Sequence, residues 1–256
     1  MDNSIPGPVL PPPVDPRASF WNARRRRPVF LLLLAIGLAL FLVWLPAGAR
    51  ALLGMALSAH RELVLLLGLF ALLTLSLIWS AGQRLDARIF LIINMQVHPK
   101  WLDRFMAVAT QLGNMLTALI AAFLLFLGNS RGLAFEIILG TLTLWLVVET
   151  IKALTDRTRP FLDLEGARVV GWREPGRSFP SGHTSQIFFL ATLLSYRFSP
   201  GAGGIAALYA LAVLVGYTRM YVGAHYPRDV IGGAVLGSVW GILATLVSPY
   251  WIGLGL

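Results

Sequence analysis

Seven runs of apolar residues, nearly free of charge, constrain this chain more than any other feature. They cover residues 29–45, 63–79, 106–127, 133–151, 183–198, 204–222 and 230–248. A helix that crosses hydrocarbon needs about 20 such residues. Lipid offers no partners to a bare backbone, so each run must satisfy its own N–H and C=O groups as a helix. The fold class expected is therefore all-α, a polytopic transmembrane helix bundle with a six-helix core and an extra N-terminal helix. Composition agrees, at 57% hydrophobic and 13% charged residues, where a soluble domain carries about 25% charged. The net charge of +9 would suggest nucleic acid in a soluble protein. In this apolar setting it points to lipid headgroups or phosphorylated substrates, with no nucleic acid. The absence of cysteine excludes disulfides, thiolate metal sites and a cysteine nucleophile.

The chain divides into three parts. Residues 1–27 are proline-rich and end in Arg24 to Arg27; without periodicity they read as a disordered tail. Residues 28–83 hold the N-terminal transmembrane helices, and 84–256 form the remaining membrane domain. Ala47-Gly48-Ala49 resembles a signal-peptidase site, but the preceding apolar run is longer than an h-region of about 7–15 residues, so a retained helix is expected. Residues 84–104 mix charges with Ile89 to Ile93, as in an interfacial amphipathic helix. The run at 183–198 is short and opens on polar residues, which suits a start in a water-filled cleft. Gly140, Gly216, Gly232, Gly233 and Gly237 permit close helix packing. His60, His98, Glu136, Glu149 and the tryptophans read as structural or interfacial.

Outside the tail, charge collects in two places. Residues 152–183 contain Lys152, Asp156, Arg157, Arg159, Asp163, Glu165, Arg168, Arg173, Glu174, Arg177 and His183, and a second group holds Arg219, His225, Arg228 and Asp229. Counting spans places both groups on one side of the membrane. Arginine forks match phosphate oxygens. Phosphoryl transfer needs charge on the equatorial oxygens, an in-line nucleophile and a leaving-group acid; two histidines can take the last two roles. Asp229, four residues after His225, can fix the ring's tautomer, and Pro227 suits the opening turn of a helix. At Pro180-Ser181-Gly182-His183, glycine permits close backbone approach beside free N–H groups at a helix start. Singly, each has a plainer reading: a loop cation, Ser181 as helix cap, His225 as an interfacial histidine, Asp229 as an N-terminal cap.

Together the residues resemble the three-part signature of the type 2 phosphatidic acid phosphatase family. The first part appears as Lys152, six residues, then Arg159-Pro160. The second is Pro180-Ser181-Gly182-His183 after Ser178-Phe179. The third is Thr218-Arg219, five residues, His225, three residues and Asp229, with threonine where the family has serine. The resemblance covers about residues 84–248. It implies a metal-independent phosphoric monoester hydrolase or lipid pyrophosphate phosphatase without cofactor. By it, His225 attacks phosphorus to give a phosphohistidine and Asp229 orients it. His183 protonates the leaving group and then activates water. Lys152, Arg159, Ser181, Gly182 and Arg219 hold the phosphate oxygens.

The same site would serve a lipid phosphotransferase, and a non-catalytic lipid-binding or transport protein is the alternative from another class. The family's substrates include an isoprenyl pyrophosphate carrier, phosphatidylglycerol phosphate, phosphatidate and phosphorylated lipid A; the isoprenyl pyrophosphate and the two glycerophospholipids rank highest. Phe161, Leu162, Leu164 and Trp172, interleaved with Arg168, Arg173 and Arg177, suit an amphiphile at the membrane surface. The resemblance implies a bacterial cytoplasmic membrane protein whose site faces outward. The positive-inside rule opposes this: Arg24 to Arg27 would keep the N-terminus in the cytoplasm, and four crossings would return Lys152 there.

Overall fold

A computed structural model of the chain describes residues 46–252, except residue 97, and a few positions between 36 and 44. The tail at 1–27 and most of the first apolar run lie outside the described residues. Every regular element described is helical. Contacts divide the chain into units 1–56 and 57–256. Helix α1 (Ala47–Ala59) begins in the first; all that follows concerns the second.

The second apolar run becomes α2 (Arg61–Ser76), and the chain then turns by 96° into α3 (Ser80–Asn94). A right-angle turn after an apolar helix suits a segment lying along the membrane surface, as its charges predict. Gly82, Asp86, Phe90 and Asn94 are its buried residues. Their spacing of four puts them on one face, so a polar residue at every second step of that face is buried against the rest of the protein.

The run 106–127, read above as one span, is broken. It forms the end of α4 (Lys100–Ala109), a 3-10 turn (Thr110–Gly113) and α5 (Met115–Leu127), bent by 59°. Asn114 starts the new helix, its side chain accepting from Leu116 N at 2.9 Å, the capping bond that favours Asn there. A Cβ on Gly113 would lie 2.5 Å from the His183 carbonyl oxygen. The break thus lets the chain approach the start of a later helix that a continuous α-helix would clear.

The remaining elements follow the apolar runs: α6 (Arg131–Thr155), the short α7 (Pro160–Asp163), α8 (Gly182–Phe198), α9 (Gly201–Tyr221) and α10 (Pro227–Ile252). Three stretches are long and apolar enough to cross a membrane, 131–163, 201–221 and 227–247, and each bent pair, α2 with α3 and α4 with α5, qualifies when taken together. Helix α8 has 17 residues, about 25 Å at 1.5 Å per residue. It is short for a span but is the most enclosed helix. Its most extensive partner is α10, and the contact is close because α10 presents glycine. A Cβ on Gly233 would sit 2.6 Å from Ser181 O, one on Gly241 2.5 Å from Thr192 Cβ, and one on Gly237 would run into Ser185 O. Phe189 and Leu193 of α8 fill the core with Leu144 and Val148 of α6 and Leu236 of α10.

Candidate active site

The end of α6, the start of α8 and the junction of α9 with α10 meet at one end of the bundle, and with them the three charged motifs. Lys152 stands in the last turn of α6, where Nζ donates to Glu149 Oε1 at 2.7 Å. A Cβ on Gly182 would lie 3.9 Å from that Nζ, so the first two motifs touch through a residue without a side chain. Asp156 ends α6 in the left-handed conformation, and the chain returns to place Arg159 under the third motif.

Arg159 and Arg219 are 2% and 1% exposed. Burying a guanidinium is costly unless its donors are met; those of Arg159 are met by loop carbonyls and one carboxylate, those of Arg219 by a hydroxyl and the same carboxylate, with Nε left over. Arg159 donates through Nη2 to Pro175 O at 3.1 Å, through Nε to Gly176 O at 3.3 Å and through Nη1 to Glu174 Oε2 at 3.2 Å. Arg219 donates through Nη1 to Thr110 Oγ1 at 2.7 Å and through Nη2 to Glu174 Oε1. The bend before α5 is what brings Thr110 to Arg219.

His225 lies in the short loop after α9, its backbone N donating to Arg219 O at 3.1 Å. Its Nε2 is 3.3 Å from Arg159 Nη1. A guanidinium only donates, so Nε2 is the acceptor and the ring proton belongs on Nδ1. That nitrogen faces Asp229 Oδ2 at 3.7 Å. Burial, then the Arg159 and Arg219 charges, push the imidazole well below its usual pKa. A neutral ring with its Nε2 lone pair toward the arginines results.

Asp229 is fully buried and fully engaged. It accepts from Ser178 Oγ at 2.5 Å, from Arg157 Nη1 at 2.6 Å and from Tyr226 N at 2.8 Å. The last bond reaches back from the first turn of α10 to the N–H of the residue before it, the return half of a capping box, so Asp229 steadies the helix start without being its N-cap. His225 precedes the helix rather than sharing a turn with Asp229. Ser181 caps α8, accepting from Thr184 N at 3.5 Å and Thr184 Oγ1 at 2.9 Å. His183, in the first turn of α8, turns Nδ1 to within 3.8 Å of Glu174 Oε1. All eight candidate residues therefore gather at this end of the bundle.

Four further residues hold the site and were not singled out from sequence. Asp86, on the buried face of α3, accepts from Arg157 Nη2 at 2.5 Å and from Arg228 Nε at 2.7 Å. Asn94, two repeats of four further on, donates to Arg168 O and Tyr221 O, each at 2.9 Å, and accepts from Arg168 N at 2.7 Å. Helix α3 thus ties down both charged loops, and the signal for it was the eight-residue spacing of Asp86 and Asn94 on one face. Arg157 links Asp86 to Asp229 and stacks on Tyr226, 4.4 Å from the ring centre. Glu174 reaches the centre from the loop before α8; a lone loop carboxylate gave no signal.

Comparison with known proteins agrees with this geometry. Residues 133–252 match the model of the PAP2 superfamily. The chain is 30% identical over 155 residues to phosphatidylglycerophosphatase B of Bacillus subtilis, covering 55% of this chain and 72% of that protein. It is 31% identical over 119 residues to an undecaprenyl-diphosphatase of Sulfolobus acidocaldarius, 46% of this chain and 57% of that one. It is 42% identical over 73 residues to the lipid A 1-phosphatase of Rhizobium johnstonii, 27% of this chain and 28% of that one. The chain thus spans about half the length of the Sulfolobus relative and less of the Rhizobium one. The crystal structure of a transmembrane PAP2 type phosphatidylglycerolphosphate phosphatase from Bacillus subtilis superposes with a TM-score of 0.64 at 24% identity, covering 73% of this chain and 96% of that one.

Proposed function

The chain belongs to the PAP2 superfamily and is a multi-pass membrane protein with that fold; from this premise we propose that it is a phosphatase of lipid phosphates, cleaving a phosphomonoester or pyrophosphate through a phosphohistidine. The observation that carries the reading is the buried His225, with Nε2 3.3 Å from Arg159 Nη1 and Nδ1 3.7 Å from Asp229 Oδ2, buried without a hydrogen-bond partner. Arg159, Arg219 and Lys152 hold the phosphoryl oxygens and neutralise the charge that spreads over them. His225 Nε2 attacks phosphorus as the P–O bond to the leaving group breaks. His183 gives that oxygen a proton, then takes one from the water that attacks the N–P bond, returning His225 and releasing phosphate. Asp229 positions the ring and offsets the positive charge it gains.

The substrates are proposed as amphiphiles with a terminal phosphate. Leu162 and Trp172, 67% and 84% exposed, flank the site where a lipid's apolar part would lie. The relatives' names suggest undecaprenyl pyrophosphate, phosphatidylglycerol phosphate and a lipid A phosphate. Purified full-length protein in detergent, offered each in turn, should release free phosphate from at least one, with undecaprenyl pyrophosphate and phosphatidylglycerol phosphate ahead. Folded protein that releases none contradicts the reading, and phosphate found on a second lipid identifies a phosphotransferase instead. The membrane is proposed to be the bacterial cytoplasmic membrane, with the site outward. A periplasm-active reporter fused at residue 166 should then be active, and a cytoplasm-active one silent.

A further inference from the structure

The carboxylate of Glu174 occupies the centre of the site. Its two oxygens bridge Arg159 of the first motif and Arg219 of the third, and Oε1 stands 3.8 Å from His183 Nδ1 of the second. One anion thus joins all three motifs. A carboxylate resembles a phosphate in charge and in its match to the guanidinium fork, but it has two oxygens where a phosphate monoester has three free ones. The shortfall is visible: Arg219 Nε is buried without a hydrogen-bond partner.

We propose that Glu174 is a tethered stand-in for the substrate's phosphate, which an incoming phosphate must displace and which thereby selects terminal phosphates over phosphodiesters. The proposal rests on the reading of this site as a phosphate site. Burial alone would raise the Glu174 pKa, but the Arg219 and Arg159 guanidiniums beside it lower it well below the carboxylate range. The competitor is therefore charged at neutral pH. A monoester dianion or a pyrophosphate brings more charge than the carboxylate it displaces and a third oxygen for Arg219 Nε. A phosphodiester, the headgroup linkage of common bilayer lipids, brings one negative charge and two free oxygens, which Glu174 already supplies. Diesters at bilayer concentration would then gain nothing by entering.

Displacement is geometrically cheap. Glu174 is on the segment between Gly171 and Gly176, at φ +82° and +85°, the left-handed region in which glycine is unstrained. Nothing lies within 4 Å of the position a Cβ would take at either glycine. The neighbouring Trp172 is 84% exposed, so no apolar packing holds this stretch. The Pro175 and Gly176 carbonyls can stay on Arg159 while the carboxylate swings out.

The test compares wild-type protein with Glu174→Gln, which keeps the shape and removes the charge. Inorganic phosphate and dimethyl phosphate are the probes, with binding followed by calorimetry and by the rise in melting temperature. Glu174→Gln should bind phosphate about tenfold more tightly, the order of one charge-assisted contact, and should gain measurable dimethyl phosphate binding. Should the Gln variant fail to fold, Glu174→Asp, too short to bridge both arginines, should show the same change at about two- to threefold. Unchanged or weaker phosphate binding in a folded variant overturns the proposal. Because binding is read without turnover, that result is separate from failure of the phosphatase reading, which would appear as wild-type protein inert toward every lipid phosphate.

Discussion

Helices α5 and α8 differ in the opposite sense to helices of a water-soluble protein. Helix α5 is almost wholly apolar, yet only Ala118 and Ala122 are buried along it, while Leu116, Phe123, Leu124 and Leu127 are about 60% exposed. Helix α8 carries Thr184, Ser185, Gln186, Thr192 and Ser195, and all are buried. In lipid, leucine gains nothing by leaving the solvent, so helices associate through small residues, close approach and polar contacts. The most polar span becomes the centre. It can be so because α10 offers it glycine and because four of these five polar side chains find partners, as Gln186 Nε2 does in Thr141 Oγ1 at 2.9 Å; Ser195 Oγ does not. The candidate site lies at one end of this polar, closely packed pair.

The comparison can be broken at several points. The largest effect belongs to His225. His225→Ala should lower lipid phosphate hydrolysis by at least about 10³-fold with the melting temperature nearly unchanged. Equal loss of both would make the histidine part of the packing rather than of the chemistry. Next comes the glycine contact. Gly237→Ala drives a methyl group into the Ser185 carbonyl and should cost about 1–3 kcal/mol or more, read as a fall in melting temperature. Tolerance there would mean that close approach does not hold the two helices together.

The pH profile follows. Burial holds His225 neutral, so the acid limb of kcat/KM should lie below about 6.5, the ordinary histidine value. The sign for stability is the same. Below that pH the unfolded chain takes up a proton that the folded site refuses, so acid favours unfolding. Glu174, with its lowered pKa, adds a loss only below the usual carboxylate range. An acid limb above 6.5 would contradict a neutral buried ring. The smallest effect is expected on the lipid face: Leu124→Ala in α5 should change stability by no more than about 0.5 kcal/mol. A large cost there would show that this outer face of α5, and not only its Ala118 and Ala122 face, has a packing partner.

The sequence was most informative where chemistry is local. Apolar run length marked most of the described helices, and the spacing within three motifs picked out eight candidate residues that the fold gathers at one end of the bundle. What it hid was set by contacts between distant residues. The break at Asn114 is invisible to hydropathy, because Met115 to Leu127 continues an apolar run; only Gly113 beside a capping asparagine hinted at it. Asp86 meets Arg228 across 142 positions of chain, and Glu174 meets Arg219 across 45. In each, a carboxylate in a charged segment looks solvated until the partner is known. The double use of Asp229 and Ser181 was half legible. Ser181 caps α8 and Asp229 closes the first turn of α10 through Tyr226 N, and both remain candidates for the site, because the start of a helix supplies both a need for capping and a place for an anion.

The account stands on His225 forming a bond to phosphorus. The direct measurement is a rapid base quench of purified protein turning over a lipid labelled in its terminal phosphate, followed by proteolysis and mass spectrometry. The account predicts base-stable, acid-labile phosphate on His225, formed before free phosphate appears and absent from the His225→Ala protein. Steady hydrolysis with no label on His225, or with label on another residue, would contradict it.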